Sequence, residues 1–375
     1  MHNDERDTRS KWSWRIGTFS GIGVYVHATF LLLIGFVGFQ HYAASQSMVA
    51  AMSGIVFVLA LFLCVVLHEF GHALMARKFS IGTRDITLLP IGGVARLERM
   101  PDKPIQELWV ALAGPAVNVA IALLLGAWLL MSSTFVPLSE LTLTGGPFLE
   151  RLMVVNVFLV LFNMLPAFPM DGGRVVRALL ALRLEYVRAT RYAARLGQGM
   201  AIGFAILGFF TNPFLMLIAF FVFVGAGQEA GSVQLKSSLN GIPTSQATIT
   251  DYRTLHPDED LNRAVHLILT GSQQDFPVVH DGRVAGLLTR RDLFRALEEE
   301  RRYTPVSRIM RRVEPVDSST PLHRVFETMR SGGHDSLPVV RDDRLMGLVT
   351  MENVGEFLAV HSASKNQREV EAVAA

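Results

Sequence analysis

From residue 16 to residue 68 the chain contains no Asp, Glu, Lys or Arg, a run of 53 positions. One membrane-spanning helix needs about 20 apolar residues, so the run is too long for a single span. The polar stretch Gln40 to Ser47 divides it into two. Further charge-free windows run from Leu108 to Ser139, Leu152 to Met170 and Leu196 to Gln228, the last interrupted at Thr211-Asn212-Pro213, which suits a tight turn. These windows predict six transmembrane helices, at about 20–39, 49–77, 106–131, 149–166, 196–210 and 213–229.

Charge divides the chain into two kinds of material. Residues 1 to 228 hold 17 Lys/Arg and 12 Asp/Glu, a net of +5, whereas residues 229 to 375 hold 18 and 21, a net of −3. The 50% apolar content therefore averages a nearly charge-free membrane part and an ordinary cytoplasmic part. A disordered or collagen-like chain is excluded. The single cysteine, Cys64, excludes an intramolecular disulfide and a Cys-based zinc site.

Lys/Arg placement gives the orientation. With the N-terminus inside, the inner segments 1–16, 77–104 and 171–195 carry 4, 6 and 6 Lys/Arg. The outer loops 40–47, 132–148 and 211–213 carry none, Arg151 at the outer start of the fourth span being the exception. Both termini are then cytoplasmic in a multi-pass cell-membrane protein. The opening basic residues before an apolar run raise a signal peptide, but no small-residue cleavage site is evident, so the first span is read as retained.

The second half repeats itself. Leu261 to Leu297 aligns without gaps on Leu322 to Leu358 at an offset of 61, with 12 of 37 positions identical. Each unit reads helix, strand, turn, strand, helix: Leu261–Leu269, Phe276–His280, Val284–Leu288 and Arg291–Leu297 in the first, Leu322–Met329, Leu337–Arg341, Leu345–Val349 and Glu352–Val360 in the second. Self-similarity of this kind marks supersecondary units packed on one another.

The residues with chemistry lie at the inner end of the second span, in His68-Glu69-Phe70-Gly71-His72. Helical spacing sets His68 and His72 one turn apart on one face, where both imidazoles reach one ion. Glu69 is offset by about 100° and is placed to hold a water. This is the H-E-x-x-H signature of zinc proteases. Zinc there lowers the pKa of water to about 7 and polarises a scissile carbonyl. A Glu in an apolar helix costs about 2–3 kcal/mol on insertion and so needs a reason; a polar helix end at the membrane surface is the plainer alternative. Catalytic zinc takes three protein ligands. Asp171 is the other acidic residue in a comparable apolar setting, in Asn163-Met164-Leu165-Pro166-Ala167-Phe168-Pro169-Met170-Asp171-Gly172-Gly173. The derived topology puts it at the same depth as the histidines; otherwise it is a turn residue before a cytoplasmic helix.

Together these motifs resemble the site-2 protease family of intramembrane zinc peptidases over roughly residues 17 to 230. The family spelling has Leu before the Asp, and here it is Met170, apolar for apolar. The resemblance implies His68, His72 and Asp171 as ligands of one Zn2+ and Glu69 as general base. It also suggests Asn118, in Gly114-Pro115-x-x-Asn118, as a helper near the substrate or oxyanion; an Asn there equally serves to hydrogen-bond a neighbouring helix. In the family the segment at 82–99 is a membrane-reentrant β-hairpin, and its strand edge would pair with unwound substrate; a simple surface hairpin is the alternative. The implied substrate is a transmembrane protein already trimmed by another protease, such as an anti-sigma factor or another signalling protein.

The repeats resemble a pair of cystathionine-β-synthase (CBS) domains, through Phe276-Pro277-Val278-Val279 and Gly286 to Asp292, and through Leu337-Pro338-Val339-Val340 and Gly347 to Asn353. That likeness implies an adenine nucleotide (ATP, ADP or AMP) in the cleft, facing Thr289 and Asp292 in the first repeat and Thr350 and Asn353 in the second, where Asn has replaced the charged Asp. The alternative is that the pair only dimerises the enzyme; a homodimer is expected through it.

The expected architecture is a polytopic α-helical membrane protein of about six spans with a reentrant β-hairpin, plus a cytoplasmic α/β CBS pair. Its expected limits are a tail at 1–16, a metallopeptidase domain at 17–230, a linker at 231–245, CBS domains at 246–304 and 305–361, and a tail at 362–375. The expected function is zinc endopeptidase cleavage within the bilayer, regulated by nucleotide, with no nucleic-acid partner. A CBS-regulated transporter or channel competes, but no inverted repeat is visible. An inactive scaffold would need a broken ligand set, and all four residues are intact.

Overall fold

The computed structural model describes residues 12–90, 92–101, 103–132 and 147–361. Residues 1–11 and 362–375 of the expected tails, and 133–146 of the expected outer loop, lie outside the described residues. The chain divides into two units at Val233 and Gln234.

The first unit opens with a hairpin. β1 (Ser13–Phe19) and β2 (Ile22–His27) are joined by Ser20 and Gly21, whose φ angles of 51° and 81° are both positive, as a two-residue type I′ turn requires. Ile22, Val24 and Val26 alternate along β2 as β-branched residues do in strands. The first expected helix therefore starts at 28 instead of 20, as α1 (Ala28–Ser45). The charge-free run hid this, because hydropathy alone does not separate a buried strand from a helix.

α2 (Met48–Lys78) has 31 residues and is followed by β3 (Thr83–Leu89) and β4 (Gly92–Leu97). The expected hairpin is thus present, within a larger sheet of order β1-β2-β3-β4 in which β2 and β3 run parallel. The sheet packs on α2 through Ile22, Ile86, Phe70, Ala73 and Ala95.

α3 (Pro104–Met131), α4 (Phe148–Asn163), α5 (Asp171–Ala181), α6 (Tyr186–Phe210) and α7 (Pro213–Ser238) complete the unit's helices, α7 running past its limit. Among the described residues, α1, α2, α3, α6 and α7 are long and apolar enough to cross a membrane. Their outer faces expose Leu32, Phe36, Leu123, Leu124, Phe209 and Phe220, a cost in water but none against lipid tails. The region is that of a multi-pass membrane protein. α4 is the fourth expected span, but at 16 residues it is short. It stops before Pro166, whose ring cannot continue a helix, and an irregular segment carries the chain to Asp171. Non-helical backbone is tolerated at such depth only when covered by protein, and Ala167, Phe168 and Met170 are buried. α6 begins ten residues before its apolar window, at Tyr186, so Arg188, Arg191 and Arg195 are helical.

In the second unit the two repeats build two equivalent cores. Leu261, Ala264, Phe276, Val278, Leu288 and Leu293 fill one, and Leu322, Val325, Leu337, Val339, Val349 and Val354, all displaced by 61, fill the other. α8 (Leu261–Thr270), β5 (Phe276–His280), β6 (Arg283–Leu288) and α9 (Arg290–Glu298) form the first repeat. β7 (Val316–Asp317), α10 (Leu322–Gly332), β8 (Ser336–Arg341), β9 (Arg344–Thr350) and the helical residues 351–361 form the second. The connections cross over: Ile249, ahead of the first repeat, pairs with Leu348 of β9, while Arg311, ahead of the second, pairs with Leu287 of β6. Residues 231–238 of the expected linker are the end of α7.

Candidate metal centre

α2 and α3 cross closely because small residues face each other. A Cβ on Gly71 would stand 2.6 Å from the Ala113 carbonyl oxygen, and one on Gly114 would stand 2.7 Å from His68 Nε2. α3 turns one face to this crossing, carrying Glu107, Val110, Gly114 and Asn118, all buried. That face receives the α2 histidines. His72 Nδ1 donates to the Val110 carbonyl at 2.7 Å, and His68 Nδ1 lies 2.8 Å from Asn118 Oδ1. Both rings therefore turn Nε2 the other way, toward Asp171.

Asp171 is the first residue of α5, where a carboxylate is favoured by the helix dipole. Its place is set by the irregular segment folding back on α5: a Cβ on Gly172 or Gly173 would run into the backbone of Met164 or Ala167. Asp171 Oδ2 is 3.2 Å from His68 Nε2 and 3.1 Å from His72 Nε2, and the two nitrogens are 3.1 Å apart. Among the described residues this is the one group of three or more His, Cys, Asp or Glu able to hold an ion.

The triangle fits zinc. Bonds of about 2.0–2.1 Å at tetrahedral angles put ligand atoms roughly 3.3 Å apart, close to the three edges found. Two imidazole nitrogens and a carboxylate oxygen are a catalytic type of donor set, and three ligands leave the fourth position open. Asn118 Oδ1 behind His68 and the Val110 carbonyl behind His72 hold both rings with Nε2 toward the candidate ion position.

Glu69, half-buried on α2, turns its carboxylate to β4, where Oε2 accepts the Ala95 N–H at 3.1 Å. Asn118 is fully buried, with both ends of its amide taken: Oδ1 faces His68 Nδ1, and Nδ2 donates to Asn156 Oδ1 at 3.0 Å. It stands behind His68. Asn163, last residue of α4, donates to the Leu159 carbonyl.

Asn156 and the Arg177 cluster escaped the sequence reading. Asn156 sits in an apolar window, and a polar residue there is itself a signal. Arg177 on α5 donates from Nε to Glu107 Oε1 at 2.7 Å and also reaches Glu229 on α7. Nothing in the spacing links three residues on separate helices.

In the second unit Thr289 caps α9, and its hydroxyl donates to Asp292 at 2.6 Å. Arg311 grips both carboxylate oxygens of Asp292 at 2.6 Å. Burial pushes the Asp292 carboxyl up, but the bonds from Arg311 and Thr289 outweigh it and hold the group below its ordinary range. A cavity of about 410 Å³ opens beside Thr289, lined by Arg290, Arg291, Arg311, Phe294 and Asp335 among others. In the second repeat Thr350 caps the following helix by accepting the Asn353 N–H, and the Asn353 amide donates to the Ala247 carbonyl at 2.7 Å. Asn353 thus holds the segment just ahead of the first repeat, and Thr350 and Asn353 do not line the cavity of the first repeat.

Comparison with known proteins agrees with both halves. Residues 56–147 and 145–207 match Peptidase family M50, and residues 245–299 and 306–359 each match the CBS domain. The chain is 30% identical to the zinc metalloprotease MJ0392 of Methanocaldococcus jannaschii over 351 residues, 93% of this chain and 97% of that protein. It is 27% identical to the protein Rip3 of Mycobacterium tuberculosis, over 92% of this chain and 93% of that one. Among solved structures it is similar to the site-2 protease from Methanocaldococcus jannaschii, at 36% identity over 58% of this chain and 95% of that one, with a TM-score of 0.43.

Proposed function

The chain belongs to Peptidase family M50, the site-2 proteases, as a zinc metalloprotease with tandem CBS domains, and from that premise we propose that it cleaves transmembrane segments of other membrane proteins under nucleotide control. The observation that carries the reading is the triangle of His68 Nε2, His72 Nε2 and Asp171 Oδ2, drawn from helices about a hundred residues apart.

His68, His72 and Asp171 would hold the zinc. When bound, zinc supplies a Lewis acid that lowers the pKa of water to about 7 and polarises the substrate carbonyl. Glu69 takes the proton of the attacking water and passes it to the leaving amine, a role worth about 10²–10⁴ in rate. Asn118 holds His68 from behind. β4 is an edge strand, and an unwound substrate strand aligned along it would bring its carbonyl to Glu69. A helical substrate hides its amides in its own ladder, so unwinding must come first.

The substrate class is a transmembrane protein already trimmed by another protease, with an anti-sigma factor or other signalling protein as the type. The CBS pair takes ATP, ADP or AMP at the first repeat, with the Arg residues of the cavity on the phosphates and Thr289 and Asp292 on the ribose. Thr350 and Asn353 are the matching positions of the second repeat, where the Asn353 amide is already engaged by the Ala247 carbonyl. The pair also joins two chains. The domain limits are 17–230, a linker to 245, 246–304 and 305–361, with both termini on the cytoplasmic side.

Purified full-length wild type and Glu69→Gln are assayed for cleavage of a transmembrane substrate in liposomes, with and without chelator. Loss of cleavage in Glu69→Gln at unchanged zinc content supports the mechanism, and wild-type cleavage by that variant rejects it. Asp171→Ala should lower zinc per chain. Calorimetry with each nucleotide on the full chain tests the regulatory site; no heat with any of them leaves dimerisation as its role, checked by the mass of the protein in detergent.

A further inference from the structure

Asn156 lies in the middle of α4, fully buried at 0% exposure. Its Nδ2 donates to the Leu152 carbonyl one turn back at 2.8 Å, with Cys64 Sγ at 3.4 Å as a weaker acceptor. A carbonyl oxygen only accepts, so the end of the amide facing Leu152 is the nitrogen and Oδ1 faces away. Oδ1 meets Asn118 Nδ2 at 3.0 Å. That contact spends the nitrogen of Asn118 and turns its Oδ1 to His68 Nδ1, 2.8 Å away. An amide oxygen also only accepts, so the proton of a neutral His68 ring sits on Nδ1 and the lone pair on Nε2. Nε2 is the atom 3.1 Å from His72 Nε2 and 3.2 Å from Asp171 Oδ2.

The polarity of the whole row is set by one backbone carbonyl. Every amide in it has a single orientation that satisfies all its bonds, and the reverse orientation would set oxygen against oxygen at Leu152. Burial makes that reversal expensive, since a polar group left without a hydrogen bond in the interior costs free energy. His72 needs no such row, because its Nδ1 reaches a backbone carbonyl directly.

We propose that Asn156 is a positioning residue of the peptidase: through Asn118 it fixes the tautomer of His68 that offers Nε2 to the metal. The inference rests on His68, His72 and Asp171 being the zinc ligands. With Asn156 apolar, the Asn118 amide is free to turn over, and His68 samples the tautomer whose Nε2 bears a proton and takes no metal.

The test is zinc affinity of the full chain in detergent, by competition with a chromogenic chelator. Asn156→Leu should weaken zinc about 10–100-fold, the range for losing an outer-shell partner. Asn156→Ser, too short to reach Asn118, should do the same and guards against misfolding of the larger replacement. Asn156→Asp should stay near the wild-type affinity, because in its neutral form the carboxyl donates its hydroxyl to the Leu152 carbonyl and still presents an oxygen to Asn118. In an Asn118→Leu background, Asn156→Leu should add nothing, as residues acting through one route are non-additive. Wild-type affinity in Asn156→Leu and Asn156→Ser overturns the proposal. So does an equal loss in Asn156→Asp, or a full second loss in the Asn118→Leu background. His68→Ala is the separate control: if it retains zinc, the ligand assignment fails, whatever Asn156 does.

Discussion

The carboxylate of Glu69 accepts the backbone N–H of Ala95 at 3.1 Å, so the acidic residue beside the histidine pair is held by the edge strand β4. Ala95 stands opposite Ile86 on β3, yet its N–H is directed at α2. Within an antiparallel ladder such residues alternate between bonding the partner strand and leaving N–H and C=O outward. Gly93, two residues along, keeps the space for Glu69 open, since a Cβ there would stand 2.8 Å from Glu69 Cγ. One edge therefore positions Glu69, the proposed base, and offers the pairing groups that an extended substrate would use.

Ala95→Pro tests that contact directly. Proline removes the N–H but is tolerated on edge strands where that group is not in the ladder. Loss of a hydrogen bond to a charged group is worth about 1.5–3 kcal/mol, so cleavage should slow about 10–100-fold. Zinc per chain should stay at the wild-type value. An unchanged rate would show that Ala95 does not orient Glu69.

Gly114→Ala probes the crossing of α2 and α3. The added methyl would stand 2.7 Å from His68 Nε2, against an atom assigned to the metal, and the close helix crossing leaves little room to yield. Zinc affinity should fall at least about tenfold, as for other disturbances next to a ligand. Retention of zinc at wild-type affinity, measured by chelator competition, would mean the helices separate easily.

The convergence of His68, His72 and Asp171 was legible because metal chemistry dictates residue types at fixed spacing. His68 and His72 are one helical turn apart, and Asp171 is marked by prolines and glycines in an apolar stretch. The repeat was legible because both copies fill their cores from the same positions, Leu261 with Leu322 and Val278 with Val339. Other features hid for physical reasons. Ile22 to His27 forms a strand inside a charge-free run, where strand and helix share one hydropathy. Asn156 matters only through Asn118 on another helix, and Glu107, Arg177 and Glu229 pair across three helices. Contacts between residues remote in sequence leave no spacing to read.

Arg177 carries the next expectation. It is fully buried, pairs with Glu107 and Glu229, and lies over the rings of Phe168 at 4.9 Å and Tyr186 at 5.1 Å. Removing one member of a buried pair strands the other charge and costs about 3–5 kcal/mol. Arg177→Met should therefore lower the unfolding temperature sharply, and zinc should be lost with it, because Asp171 begins the same helix. Arg177→Lys should rescue poorly, since an ammonium cannot reproduce the planar fork or the ring stacking. A melting temperature within error of wild type in Arg177→Met would show that the cluster does not hold α5 in place.

Asp292 gives a pH dependence with a definite sign. Burial pushes its carboxyl up, but the bonds from Arg311 and Thr289 prevail and depress it. A depressed carboxyl stabilises the fold fully above its unfolded pKa, about 3.9, and that stability disappears as pH falls through the lower folded value. Arg311 is 38% exposed, so the pair is screened and worth about 1 kcal/mol or less. Arg311→Met should lower the melting temperature of the CBS unit by up to about 4 °C at pH 7, and the gap from wild type should narrow below about pH 4 as Asp292 is protonated. A gap constant from neutral pH down to pH 3 would show that Arg311 acts through packing and not through the charge of Asp292. On the proposed nucleotide reading, a ribose hydroxyl donating to Asp292 would share carboxylate oxygens that already accept from Arg311 and Thr289.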